Sequence, residues 1–224
     1  MSMNRRTLMA ATVAAGAAAG LPALAQAPAD AFTPQPLPFD PTAVPGLSAK
    51  LLTSHHDNNY AGAVKRLGAI RQAFAALDPA AAPGFTINGL KREELIAWNS
   101  MILHELYFAG LGRPTRPGTA LAAAIERDFG SHGRWAAEFG AIGKALGGGS
   151  GWVLLTWSNR DRRLVNQWAA DHMATLAGGT PLLALDMYEH AYEIDYGAKA
   201  GAYVDAYMAA IDWSHADRLF ARLG

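Results

Sequence analysis

The chemistry open to this chain is set by its histidines and carboxylates, because it has seven histidines and no cysteine. Neither a disulfide framework nor a thiolate metal site is available, so any metal must sit on nitrogen and oxygen. A lone histidine on a helix is ordinarily a hydrogen-bonded core or surface residue, and each one needs a second argument. His104 lies on the inner stripe of a predicted helix, where an unpaired imidazole suffers a desolvation penalty and needs a metal or a buried acceptor. His55 has the same position, with His56 beside it offering a second face. Asp186 and His190 stand four residues apart, directly after the apolar run Leu182-Leu183-Ala184-Leu185. A strand end feeding a turn there would aim both inward. Alone, such a pair is weak evidence, since surface pairs of this kind are common. One carboxylate with three imidazoles makes an oxygen and nitrogen donor set that suits iron or manganese, with zinc chemically allowed.

The elements that must position these groups follow from periodicity. Over 48–74, Leu52, His55, Asn59, Ala63, Leu67, Ile70 and Phe74 recur at steps of three or four, one helical stripe. The stretch 79–84 breaks the pattern. A second helix over 91–111 carries Trp98, Met101, His104 and Phe108 in register, so the first half is a helical hairpin. Residues 112–118, with Pro114 and Pro117, read as a linker. Helices are expected over 121–129 and 134–145. Short apolar runs at 152–157, 163–168 and 181–185 are bounded by turn residues and suit strands, and a terminal helix over 202–211 closes the chain. The fold class is therefore α+β: an N-terminal helical hairpin, then a C-terminal mixed domain with a small, three-stranded antiparallel sheet flanked by helices. The divisions are 1–27 leader, 28–47 extended lead-in, 48–114 hairpin domain and 115–224 α/β domain.

Composition narrows the function classes. With 51% hydrophobic and 17% charged residues in 224, the chain can bury a sizeable core and is not disordered. Its formal charge is zero; removal of a leader containing Arg5 and Arg6 leaves 17 basic against 19 acidic residues, and no basic surface for nucleic acid is implied. In 1–27, Arg5-Arg6 precedes an alanine-rich stretch and the small-residue site Ala25-Gln26-Ala27. This resembles a twin-arginine export signal. The expectation is a periplasmic protein beginning near Pro28, with no membrane attachment once the leader is removed. Proline fixes φ through the lead-in, Pro34 to Pro45, so it should be extended.

Three motifs carry a resemblance to one family over nearly all of the mature chain. Residues 181–192, Pro-Leu-Leu-Ala-Leu-Asp-Met-Tyr-Glu-His-Ala-Tyr, are close to the signature Asp-x-Trp-Glu-His-Ala-Tyr of the iron/manganese superoxide dismutases. Gly149-Ser150-Gly151-Trp152 matches that family's Gly-Ser-Gly-Trp, and Leu37-Pro38-Phe39 is similar to its Leu-Pro-Tyr opening. Aligning Val64-Lys65-Arg66-Leu67 with the family's Val-x-x-Leu puts the first ligand at His55 and leaves His56 to packing. The resemblance implies one iron or manganese ion per subunit, five-coordinate, on His55, His104, Asp186, His190 and solvent. It implies superoxide as the substrate, dismuted to dioxygen and hydrogen peroxide. It implies a homodimer in which Glu189 reaches His190 of a second subunit, and it gives Tyr107 as a tyrosine packed beside the site.

Several family positions differ. Asn59 stands in place of a histidine, Ala63 and Glu193 in place of tyrosines, and Ile102 and Tyr188 in place of tryptophans. An Asn59 to Glu193 bond across the dimer is expected to substitute for the original contact. The metal-tuning glutamine is absent from both of its usual places. Ser100 occupies one, and His172, at the other, is expected to hydrogen-bond the solvent ligand instead. The rival reading is a metal-binding, non-catalytic relative with altered surroundings. A helical module without metal requires the quartet to be coincidental. His132 and His215 receive no role.

Overall fold

The computed structural model describes residues 32–223; the leader, its cleavage site and the start near Pro28 lie outside them. Residues from Phe32 onward belong to a single compact unit. Among the described residues the lead-in is mostly irregular, and the extended run expected from Pro34 to Pro45 is interrupted by a 3-10 turn at Pro41–Ala43, capped by the Asp40 side chain. Ser48 then caps α1 (Ala49–Ser54), its Oγ accepting from the Leu51 N–H at 3.1 Å. The same serine donates to Asp195 through N–H and Oγ, at 2.7 and 2.6 Å, tying this helix start to a segment near the far end of the chain.

The first helix continues through a π-helical segment, His55–Tyr60, into α2 (Ala61–Ala75). A π turn inserts an extra residue and rotates the downstream side chains around the axis. The single stripe read from the sequence is therefore broken at its centre. Leu52, His55, Ala63 and Leu67 are buried as expected, but Asn59 is only half-buried and Tyr60, 2% exposed, takes the inward place. After a turn, α3 (Gly84–Ala109) begins seven residues ahead of the expected helix, directly behind Pro83. Its buried face is Ala97, Ser100, Leu103, His104, Leu106, Tyr107 and Phe108. Trp98, assigned to that face from spacing, is instead 39% exposed, with the Arg71 guanidinium over its ring.

The mixed part contains α4 (Thr119–Phe129), ended by Gly130 at φ +85°, and α5 (His132–Ala145), capped by Ser131. Strands β1 (Trp152–Ser158), β2 (Arg163–Ala169) and β3 (Gly179–Asp186) form a sheet in the order β2-β1-β3, antiparallel throughout. Central β1 is buried along its whole length, which explains its unbroken apolar run. The three-stranded sheet flanked by helices is the architecture expected from the sequence. A short α6 (Glu193–Tyr196) and α7 (Ala200–Ala209) come next. The expected terminal helix does not close the chain, because α8 (Ser214–Phe220) comes after it.

Two features of this fold position the site. At one end of the sheet, Ala169, Trp152 and Asp186 stand in one row of the register. The start of β1 and the ends of β2 and β3 are thereby gathered at one edge. The end of α3 packs against that sheet so closely that a Cβ on Gly110 would lie 2.7 Å from Leu183 Cδ1. Backbone bonds from Gly112 to Ala210 (3.1 Å) and from Asp212 to Gly110 (2.9 Å) fasten the stretch after α3 to the end of α7. Among the described residues, no helix is long and apolar enough to cross a membrane.

Candidate metal centre

Four side chains from four elements converge on one point. His55 comes from the first residue of the π segment, His104 from α3, Asp186 from the last residue of β3, and His190 from the 3-10 turn Glu189–Ala191. One ligand atom from each lies within 4.8 Å of every other. Asp186 Oδ2 is the hub: His55 Nε2 is 3.1 Å away, His190 Nε2 3.3 Å and His104 Nε2 3.6 Å. His55, His104 and Asp186 are buried, and His190 is partly open to solvent.

The donor set fits a metal on an observation independent of its composition. His104 Nδ1 lies 2.6 Å from the Ser100 carbonyl oxygen, so Nδ1 carries the proton and donates. Nε2 must then be bare, and it is buried with no hydrogen-bond partner. A bare imidazole nitrogen facing a carboxylate and two further imidazoles is satisfied by a cation. Electrostatics agree. Burial lowers the pKa of His55 and takes that of His104 down to about 3, which keeps both rings in the neutral form a ligand needs. Burial works to raise Asp186, yet hydrogen bonds from His190 and His55 hold it well below the ordinary carboxylate range.

The surrounding residues divide by what they touch. His56 is excluded as a ligand: Nε2 meets the Gln35 carbonyl and Nδ1 meets Asp57, each at 2.7 Å. Tyr107 is fully buried with its ring 5.0 Å from that of His55, and its hydroxyl oxygen is 3.3 Å from that of Tyr203. Tyr203 also donates to the Asp186 carbonyl at 2.8 Å, steadying the end of β3. His172 is in the loop after β2, with its ring 6.3 Å from that of His104. Its Nδ1 accepts from the Trp152 indole N–H at 3.0 Å, and Asn99 holds its backbone carbonyl at 2.6 Å. Glu189 is exposed beside His190, and Glu193 is exposed as well.

Sequence reasoning missed Tyr60, whose hydroxyl donates to Glu105 at 2.9 Å and accepts from the Gln35 N–H at 2.9 Å. Only the π turn brings it inward, and no spacing rule signals that turn. It also missed Tyr203 and the bond from Trp152 to His172; the row that Trp152 shares with Ala169 and Asp186 is a property of strand pairing.

Fold and site together define a mononuclear metal-binding protein whose site is built on three imidazoles and one carboxylate. The family model for iron/manganese superoxide dismutases, C-terminal domain, matches residues 117–219. An iron superoxide dismutase of Cupriavidus metallidurans is 67% identical over 187 residues, 84% of this chain and 95% of the relative. A manganese superoxide dismutase of Halobacterium salinarum is 34% identical over 83% of this chain and 92% of its own length. An iron superoxide dismutase of Aquifex pyrophilus is 32% identical over 81% and 88%. The chain belongs to the iron/manganese superoxide dismutase family.

Proposed function

We propose that the protein disproportionates superoxide at one iron or manganese ion per subunit, as a periplasmic homodimer. The observation that carries the activity is the buried, bare His104 Nε2 facing Asp186, His55 and His190. When bound there, the ion supplies one-electron chemistry between its +3 and +2 states, by which one superoxide becomes dioxygen and the next hydrogen peroxide. The protein's part is to hold three neutral imidazoles and one carboxylate on it, a set that leaves net positive charge to attract an anion. Ser100 orients His104 through its carbonyl, and Tyr203 and Tyr107 brace the backbone and ring behind Asp186 and His55.

His172 takes the place of the family's tuning glutamine. Because an indole N–H only donates, Trp152 obliges His172 Nδ1 to be the acceptor, so Nε2 carries the proton. That N–H donates to solvent within the site and holds a proton for the peroxide-forming half-reaction. Glu189, exposed in this chain, pairs with His190 of a second copy, and Asn59 and Glu193 bond across the same interface. Exposed Ile194 and Ile102, at 44% and 38%, supply apolar area of the kind such an interface buries. Arg5-Arg6 and the small-residue site at 25–27 support twin-arginine export. Folded export suits a chain that takes up its metal in the cytoplasm.

The test is metal content and dismutation measured together, on protein purified from the exported fraction and reconstituted separately with iron and with manganese. Fast turnover with either metal is the expected result. Stoichiometric metal without turnover would mean that Ala63, Asn59 and Glu193 mark a protein that binds a metal and no longer cycles it.

A further inference from the structure

Tyr188 has no part in the ligand set, yet its ring lies between two histidines. It is stacked on His172 at 4.8 Å between centroids with the planes 9° apart, and on His190 at 5.5 Å and 18°. His172 stands on a loop, where a side chain is not held by regular structure. One ring bond, from Trp152 to Nδ1, fixes an axis and leaves the ring free to turn about it. A flat stack removes that freedom, because it dictates the plane. Tyr188 is itself held: its N–H donates to Asp186 Oδ1 at 2.9 Å.

From this geometry we infer that Tyr188 is a positioning residue that sets the ring plane of His172, and with it the direction of the Nε2 proton. The inference rests on the reading of His172 as the group that tunes the site. The two residues are then a matched pair. Tyr188 stands where the signature has tryptophan, and His172 stands where the glutamine is expected. Each departure from the family pattern is in contact with the other.

The experiment is a double-mutant cycle on the iron-loaded protein, read by midpoint potential and by the visible spectrum of the metal, at equal metal content. A second readout needs no metal: nitrogen NMR of the His172 ring in metal-free protein, which reports its tautomer and surroundings. Tyr188→Leu should shift the potential in the same direction as His172→Ala, and adding it to His172→Ala should change nothing further. It should also move the His172 ring resonances, while Tyr188→Phe, which keeps the stack and loses only the hydroxyl, should fall between Tyr188→Leu and the unaltered protein. If His172→Ala shifts the potential but Tyr188→Leu does not, or if their effects add, the positioning role is overturned and the tuning role stands. If His172→Ala itself shifts nothing, the tuning role fails and takes the positioning role with it.

Discussion

Replacing Gly151 by alanine should cost far more stability than its small size implies. Gly151 adopts φ +138°, a backbone region that side chains rarely enter, and occupying it costs about 1–3 kcal/mol. A Cβ there would lie 2.2 Å from the Ala169 carbonyl oxygen and 3.3 Å from its carbon. These are backbone atoms of β2 opposite Trp152, so relief requires displacing a strand, a further cost of about 1–3 kcal/mol. The sum of about 2–6 kcal/mol is a large share of a typical total of about 5–15 kcal/mol. Gly148 is the control: it has φ +81° but nothing within 4 Å, so alanine there incurs only the left-handed penalty of about 1–2 kcal/mol. Urea unfolding of metal-free protein measures the difference without a contribution from metal release. With a slope of about 2 kcal/mol/M, the Gly151→Ala midpoint should drop by about 1–3 M. The damage should extend to the site, because the Gly151 carbonyl accepts from the Met187 N–H at 2.9 Å, next to Tyr188. A Gly151→Ala midpoint no lower than that of Gly148→Ala would refute the steric reasoning.

Two further outcomes depend on charge. In metal-free protein, His104 titrates near 3 when folded and about 6.5 when unfolded, so between these values the unfolded chain binds more protons and stability falls as pH drops. The loss from this one residue should approach about 1.4 kcal/mol per pH unit. His55, also lowered, adds to it, and Asp186 adds more below its ordinary range. A thermal midpoint that stayed flat from neutral pH to about pH 4 would contradict this. Asp128, whose Oδ2 accepts from the Leu164 N–H at 2.7 Å while Arg127 meets both its oxygens, joins α4 to β2. Its carboxyl is held below its ordinary pKa by Arg127 and Leu164 against the opposing effect of burial. Asp128→Asn should cost about 1–2 kcal/mol at neutral pH, a gap that closes as the pH falls below the aspartate range. An undiminished gap at low pH, seen by urea unfolding, would show that the charge is irrelevant.

The ligand quartet was legible in the residues because its chemistry is local. A histidine on a buried helical face, or an aspartate ending an apolar strand with a histidine four residues on, creates an unmet polar demand that short-range patterns expose. Family motifs then chose His55 over its neighbour. The three strands were equally legible, since an apolar run bounded by turn residues has few other solutions. The inner stripe of the first helix was not. A π turn leaves no mark in periodicity, so Tyr60 replaced Asn59 on the inward side.

What the sequence by itself determined was the set of groups able to bind a metal, the class of fold, and the positions at which the family pattern is altered. What only the tertiary structure decided was which of those alterations meet. The register that aligns Ala169, Trp152 and Asp186 brings the loop carrying His172 against Tyr188 and the indole of Trp152. Such contacts are fixed by strand pairing and packing between segments far apart in the chain, and no local pattern encodes them.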